Sequence, residues 1–144
     1  MSADLALRFF DRLGHRDAEG AIGLLAPDAT FEVVPARVRG SAASEGRAFV
    51  EALVRAFPDL LVQVHEVMGA ADFAVVEVKM EGTQAADFLG ILNQEKHVDV
   101  DQAWMFWSAR GANTGLRAYW CQNQLYRRLA VKRLDRISIL GGPR

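Results

Sequence analysis

Hydrophobic residues recur at helical spacing in three segments of the first half of the chain. Leu5, Phe9 and Leu13 lie four residues apart, so they share one face of a helix. A shorter run with the same spacing extends from Ala18 to Leu25, and a third extends from Glu45 to Phe57. Prolines follow the second and third runs and end them. The pattern therefore predicts three helices before residue 58.

Elsewhere the hydrophobic period is two, which is typical of strands. In Phe73 to Gly82, small or branched apolar residues and Met80 alternate with Glu77, Lys79 and Glu81, so one face is expected to be buried and the other polar. The same reasoning predicts five strands in all: Thr30 to Val34, Leu60 to Met68, Phe73 to Gly82, His97 to Ala109 and Leu116 to Tyr126.

The order of these elements predicts the fold class. Two helices, a strand, a third helix and four strands argue for an α+β domain, with the helices packed on one face of a mostly antiparallel sheet. Thr83 to Lys96 is expected to be irregular, and so is the loop from Pro35 through Gly40 to Ser44. We expect one domain over residues 1–144, with a basic, solvated C-terminal tail over about residues 130–144.

Composition excludes some classes of partner. Of the 144 residues 51% are hydrophobic and 24% charged, which is enough apolar material for a buried core. Lys and Arg number 17 and Asp and Glu 18, a net charge of -1, so no overall field attracts nucleic acid or an anionic membrane. We expect neither as a partner.

The single cysteine, Cys121, permits no intrachain disulfide and no thiolate cluster for zinc. The first residues carry charges from Asp4 onward and resemble neither a signal peptide nor a membrane span. A cytoplasmic location is therefore expected. No Gly-rich phosphate loop is present, so we expect no cofactor.

Three short motifs carry a family resemblance. Residues 56–60 read AFPDL, residues 81–84 read EGTQ at the end of a strand, and residues 119–129 read YWCQNQLYRRL. Together they resemble the SnoaL-like polyketide cyclases of the nuclear transport factor 2-like superfamily. The resemblance covers roughly Leu5 to Leu129. It implies a curved, mostly antiparallel sheet wrapped by three N-terminal helices into a cone with an internal apolar pocket, and a homodimer formed through the outer face of the sheet.

The sequence departs from the family pattern where proton transfer is expected. Asn123 stands where these cyclases have an acid/base Asp near the end of the last strand, Gln84 stands for the family's His after Gly-Thr, and Leu129-Ala130 replaces a closing Leu-Gly. An amide cannot exchange a proton at neutral pH, although it still donates and accepts hydrogen bonds. The resemblance thus leaves the acid/base residue open.

Alternation along the last predicted strand places Tyr119, Cys121 and Asn123 on one face. The resemblance favours this face as the pocket wall, with Tyr119 and Asn123 as hydrogen-bond donors. A register shift of one residue would instead turn Trp120, Gln122 and Gln124 inward. Tyr119 could equally be a core aromatic, and Cys121 a small buried hydrophobe.

Two other residues are candidate bases. His97 opens the long strand, where the resemblance places the mouth of the cone, although an ordinary strand-edge histidine is an alternative. Glu32 alternates with Phe31 and Val33 and could point into an apolar environment that favours its protonated form. His97 with Asp99 and Asp101 has no second His or Cys partner, so no metal site is expected.

An aromatic block lies in the strand that His97 opens. Trp104, Met105, Phe106 and Trp107 are too apolar for a half-exposed strand, so one face is expected to line a cavity and the other a subunit interface. Aromatic walls suit a flat, fused-ring ligand, although these side chains could also just fill a core. Trp104, Phe106, Gln84 and Cys121 are the candidate ligand-binding residues.

Two functions of different class follow. The first is aldol-type cyclisation or isomerisation of a hydrophobic, polyketide-like molecule, in which Glu32 or His97 removes a proton next to a carbonyl while Tyr119 and Asn123 hold the enolate oxygen. The second is a non-catalytic small-molecule-binding protein or a dimeric scaffold of the same superfamily. The amides at Gln84 and Asn123 would then mark the loss of proton chemistry.

Overall fold

A computed structural model describes residues 2–129 of the chain. The described residues contain four α-helices: α1 (Ser2–Gly14), α2 (Ala18–Ile22), α3 (Arg47–Ala56) and α4 (Gln122–Arg128). They contain six strands: β1 (Thr30–Val33), β2 (Val38–Ser41), β3 (Leu61–Gly69), β4 (Phe73–Thr83), β5 (His97–Ala109) and β6 (Ala112–Trp120). The predicted basic tail, residues 130–144, lies outside the described residues.

The six strands form one curved, unclosed sheet in the order β2-β1-β6-β5-β4-β3. Neighbouring strands are antiparallel except β1 and β6, which pair in parallel. β3 to β6 are consecutive hairpins, whereas β1 and β2 join the sheet beside the last strand. The predicted α+β class and largely antiparallel sheet are confirmed.

The inner face of the sheet carries the core. The alternation predicted for β4 holds, because Ala74, Val76, Val78 and Met80 are buried. α1 packs across β3, β4 and β5, and its Phe9 and Phe10 contact the rings of Trp104 and Phe106 on β5 at centroid distances of 5.4–5.8 Å. Aromatic edge contacts of this kind add to the burial of apolar area.

The three N-terminal helices occur where the hydrophobic spacing predicts them. Asp17 caps α2, since its Oδ1 accepts a hydrogen bond from the N–H of Gly20 at 2.9 Å. α3 begins at Arg47 rather than at Glu45, because residues 42–46 form a wider π-type turn. Within the part of the chain that the structure describes, no helix is long and apolar enough to span a bilayer.

One strand lies where a loop was predicted. β2 pairs with β1 through a short turn in which Pro35 opens a 3-10 segment and Arg37 has a positive φ of 57°. The run Val38–Ser41 contains Gly40 and Ser41 and has no clear alternation. Pairing with β1, rather than its own hydrophobic pattern, makes it a strand.

The predicted strand from Leu116 to Tyr126 is wrong at both ends. It begins earlier, at Ala112, because Arg110 and Gly111 both have positive φ and make a two-residue turn. It ends at Trp120, and α4 follows. Residues 122–128 are mostly good helix formers, and the buried Leu125 and Leu129 lie one helical turn apart. Tyr119, Cys121 and Asn123 therefore do not share a strand face.

Candidate ligand cavity

An apolar cavity lies between α3, α4 and the inner face of the sheet, on the side where β4 ends and β5 begins. Its volume is about 40 Å³. Aliphatic side chains from these elements form part of its wall. Five aromatic side chains form the rest: Phe49, Phe57, Phe88, Trp104 and Trp120.

Two of the family-like motifs meet beside this cavity. Asp59 of AFPDL accepts a hydrogen bond from the backbone N–H of Thr83 in EGTQ at 2.8 Å, and the Ala56 carbonyl accepts one from the N–H of Ala85 at 2.7 Å. The bond from Thr83 is the largest cause of the lowered pKa of Asp59. Phe57 and Leu60, from the same motif, face the cavity. The motifs thus fix one wall of the cavity.

The aromatic side chains contact one another across the cavity. Phe49 of α3 stacks on Trp120 of β6 with ring centroids 6.2 Å apart and planes inclined by 26°. Phe88, from the segment between β4 and β5, lies 6.1 Å from Phe49 and 5.5 Å from Phe57. Their flat faces make a surface suited to a planar apolar ligand.

Gln102 is the polar side chain of β5 in the cavity wall. The indole N–H of Trp104 donates to Gln102 Oε1 at 2.7 Å, which orients the amide and leaves its Nε2 hydrogens without a partner among the described residues. The cavity therefore offers a neutral hydrogen-bond donor. Sequence reasoning missed Gln102. The available signal was its even-numbered position on β5, which places it on the same face as Val100 and Trp104.

The three candidates from the end of the predicted last strand lie away from the cavity wall. Tyr119 is on the outer face of the sheet and 38% exposed, Cys121 is exposed, and Asn123 is exposed on α4. Trp120, the alternative of the shifted register, lines the cavity instead. Pairing of Trp104 with Ala118 sets this register and turns Leu116, Ala118 and Trp120 inward.

Glu32 lies on the outer face of the sheet and forms an ion pair there. Its Oε1 accepts a hydrogen bond from Arg117 Nε at 3.0 Å, and the Arg117 guanidinium lies 5.3 Å from the centroid of the Trp107 ring. A hydrogen bond with Tyr119, followed by the bond to Glu32, raises the pKa of Arg117. The apolar surroundings expected for Glu32 are not present.

His97 lies on the outer face of the sheet, beside Glu81 of the cavity wall, with its side chain 58% exposed. Its Nε2 is 3.1 Å from Glu81 Oε2 and its Nδ1 is 3.0 Å from Thr83 Oγ1. Glu81 and Gly82 border the cavity, while the Glu81 carboxylate faces the imidazole on the outer side. Within residues 2–129, no three His, Cys, Asp or Glu side chains are grouped to hold a metal ion.

Of the predicted ligand-binding residues on β5, Trp104 lines the cavity, whereas Phe106 is buried against α1. Gln84 is 1% exposed and lies behind the wall. Its Nε2 donates to the carbonyl oxygens of Ala86 and Ile91, both at 3.2 Å. Gln84 Oε1 is buried without a hydrogen-bond partner among the described residues.

The cavity is small for a ligand site. A volume of about 40 Å³ accommodates a few water molecules, whereas sites for drug-sized ligands measure about 300–1,000 Å³. The chemistry of the walls suits an aromatic ligand, but the cavity would have to enlarge by movement of a wall before it could hold a fused-ring molecule.

Comparison with known proteins agrees with this architecture. The chain matches the SnoaL-like domain over residues 6–112. No curated protein sequence matches it significantly. Among solved structures it is similar to AclR, a proposed hydroxylase of Streptomyces galilaeus, with 20% identity and a TM-score of 0.77 over 90% of this chain and 96% of that one.

Two further structures carry polyketide-cyclase descriptions. A proposed SnoaL-like polyketide cyclase of Jannaschia sp. CCS1 has 23% identity and a TM-score of 0.78, over 92% of this chain and 93% of that one. IdmH of Streptomyces antibioticus, a proposed polyketide cyclase, has 15% identity and a TM-score of 0.75, over 91% of this chain and 99% of that one. These likenesses establish the nuclear transport factor 2-like fold, and with the match over residues 6–112 the chain belongs to the SnoaL-like domain family.

Proposed function

We propose that this protein binds an uncharged, aromatic, polyketide-like small molecule in the cavity between α3 and the sheet. The composition of the wall carries the proposal: five aromatic side chains, aliphatic neighbours and one oriented amide. Glu81 is the ionisable residue of the described wall, and its carboxylate is engaged with His97 on the outer side.

The amide defines one feature of the ligand. Gln102 Oε1 is occupied by the Trp104 indole, so the amide presents its N–H groups and selects a hydrogen-bond acceptor such as a ketone oxygen. A ligand carboxylate would lose its hydration without gaining a cation from the described wall, and an unpaired charge in an apolar site is costly. An uncharged ketone therefore fits better than a carboxylate.

A series of three tricyclic probes tests this proposal by titration calorimetry. Fluorenone has a ketone, fluorene lacks it, and fluorene-9-carboxylate is charged. We expect affinity to decrease in that order. The variant Gln102→Leu should lose the preference for fluorenone over fluorene, about fivefold if one hydrogen bond contributes about 1 kcal/mol. Tightest binding of the carboxylate, or no binding of any probe, would contradict the proposal.

Aldol-type cyclisation or a related isomerisation is the second candidate function. Membership of the SnoaL-like family and the polyketide-cyclase descriptions of similar structures favour it. Among the predicted bases, His97 is nearest to the cavity rim through its contact with Glu81. In this reaction the imidazole of His97 would have to turn from the outer face toward the cavity to remove a proton next to a carbonyl, and the amide of Gln102 would donate to the enolate oxygen.

Turnover of an anthracycline-type ester separates the two candidates. General bases are typically worth about 100 to 10,000-fold, so His97→Gln should reduce turnover by at least that lower factor while leaving affinity intact. Glu77→Gln, an exposed carboxylate on the outer face of β4, is the matched control. If the parent protein binds fluorenone but does not turn over the ester, the catalytic candidate is excluded for this ester and the binding function remains.

The outer face of the sheet supports a further part of the proposal, a homodimer. Met68 is 52% and Tyr119 38% exposed there, and the side chains of Val75, Met105 and Trp107 on the same face are half-buried. Contiguous exposed apolar side chains mark interaction surfaces. We expect light scattering to give twice the chain mass of 15.9 kDa, and Met105→Asp to return the monomer. A monomeric parent protein would contradict the dimer.

A further inference from the structure

A small hairpin between β4 and β5 closes one side of the cavity, and we call residues 86–91 the plug. The N–H of Phe88 donates to the carbonyl of Ile91 at 3.0 Å, and the N–H of Ile91 donates back at 2.8 Å. Leu89 and Gly90 make the turn with φ of 51° and 79°, as in a two-residue type I′ turn. The plug is thus a self-contained unit.

Phe88 is the side chain by which the plug fills the cavity. It is 4% exposed and lies between Phe49 and Phe57. Phe49, Trp104 and the other aromatic walls belong to a helix, a helix end or a strand, whereas Phe88 sits on a segment without ladder bonds to the sheet. If the cavity is to enlarge, the plug is a wall segment that can move without breaking the ladder of the sheet, although Ile91 is buried with Phe88.

Gln84 holds the plug through two side-chain hydrogen bonds, which we call the clasp. It follows the last residue of β4, and its backbone N–H is bonded to the Lys96 carbonyl at 3.0 Å, so it stays with the sheet. Its side-chain Nε2 donates to Ala86 and Ile91, the two ends of the plug. One amide therefore holds both ends of the hairpin.

One feature makes the closed arrangement costly. Gln84 Oε1 is buried and unpaired within the described residues, and a buried acceptor without a partner loses its hydration without gaining a hydrogen bond. Outward movement of the plug would expose the Gln84 amide to water and relieve this cost.

We propose that the plug moves outward from Gln84 to admit the ligand, that Phe88 determines the size of ligand accepted, and that Gln84 is the positioning residue that holds the plug closed. This inference rests on the proposed binding function. It explains how a cavity of about 40 Å³ serves a fused-ring ligand. The ring of Phe88 and the ligand compete for the same space.

Hydrogen exchange tests the clasp without any ligand. In Gln84→Leu, which keeps a similar volume but removes both hydrogen bonds, the amides of Phe88 and Ile91 should exchange at least about tenfold faster, while those of Val76 and Val78 in β4 keep their parent rates. Gln63→Leu, an exposed glutamine on β3, is the matched control. Unchanged exchange at Phe88 and Ile91 in Gln84→Leu would overturn the role of Gln84.

Benzene tests the role of Phe88, again independently of the natural ligand. Phe88→Ala should leave an apolar space that binds benzene, so benzene should raise the Tm of Phe88→Ala but not that of the parent protein. If Phe88→Ala does not fold, Phe88→Leu replaces it and should accept benzene more weakly. Folded variants that show no response to benzene would overturn the assignment of Phe88.

Fluorenone kinetics connect the plug to the proposed function. Loosening the clasp raises the population of the open state, so Gln84→Leu should associate with fluorenone at least about threefold faster. Slower association or weaker binding in Gln84→Leu would contradict the proposal that movement of the plug admits the ligand. If neither the parent protein nor Phe88→Ala binds any tricyclic probe, the binding function fails, while the exchange and benzene results still decide whether the plug exists.

Discussion

The Asp59 carboxylate accepts a hydrogen bond from the backbone N–H of Thr83 at 2.8 Å, across 24 positions of sequence. This bond joins the turn after α3 to the end of β4. The same turn supplies Phe57 and Leu60 to the cavity wall. A bond beside the cavity thus fixes the position of two residues that line it.

Replacing Asp59 tests how much this bond stabilises the fold. Asp59→Ala leaves the N–H of Thr83 without its acceptor and should lower the free energy of unfolding by about 1 kcal/mol or less, since one hydrogen bond contributes about 0.5–1.5 kcal/mol and Asp59 is exposed. Asp59→Asn, which keeps an acceptor oxygen, should lose less. Urea denaturation measures both. Equal losses in the two variants would assign the effect to something other than this bond.

Protonation of Asp59 should contribute to the pH dependence of the unfolding free energy. Its pKa is lowered in the folded protein, first by the bond from Thr83. Such a carboxylate stabilises the fold fully above the ordinary Asp pKa of about 3.9, and the stabilisation is lost as pH falls through the lower folded value. The difference in unfolding free energy between the parent protein and Asp59→Ala should therefore be constant near neutral pH and shrink below about pH 4. A difference that grows on acidification would contradict this assignment.

A side chain at Gly82 should crowd the turn after α3. A Cβ added there would lie 3.0 Å from Asp59 Oδ1 and 3.2 Å from the Cβ of Phe57, so the turn after α3 would have to retreat. We expect Gly82→Ala to destabilise the protein by about 1–3 kcal/mol, the usual cost of overpacking. Gly115→Ala is the control, because its nearest neighbour would be 3.6 Å away. Thermal unfolding of the two variants gives the comparison.

Restoring the family Asp at position 123 should not create activity. Asn123 is exposed on the first turn of α4, outside the cavity wall. Asn123→Asp should leave fluorenone affinity unchanged and stabilise the protein by about 0.3–1 kcal/mol at most, because a negative charge is favourable near a helix N-terminus. Trp120→Ala, which removes a cavity wall, should weaken binding. Turnover that appears only in Asn123→Asp would contradict this and show that the side chain at position 123 reaches the cavity.

The elements with strong periodicity could be predicted from sequence. β4 and α1 bury one stripe each, and their patterns repeat often enough to fix the face. β2 and α4 could not be predicted, because β2 has no alternating burial and α4 buries only Leu125 within its own span. Such short elements exist through tertiary contacts rather than through their own pattern.

The candidate site was predicted only in part, for a similar reason. Trp104 is large, apolar and on the correct strand, so its place in the wall follows from sequence. Tyr119 and Trp120 are adjacent aromatics, and the sequence does not show which of them faces inward. The pairing of Trp104 with Ala118 decides it, because it places Trp120 on the inner face. Gln84 and Phe88 lie in a segment without periodicity, where contacts of the folded chain decide what each does.

The parallel pairing of β1 with β6 has a consequence for the order of folding. Glu32 and Arg117 sit side by side in this pair although 85 positions separate them. The strand pairs from β3 to β6 join segments that are close in sequence, whereas β1 can pair only after β6 has formed. Non-local pairings form slowly because the entropy of loop closure is lost before the contacts are gained. Pulse-labelled exchange during refolding should protect the amides of β4 and β5 before those of β1. Until β1 docks, β6 is an open sheet edge on which a second unfolded chain could pair.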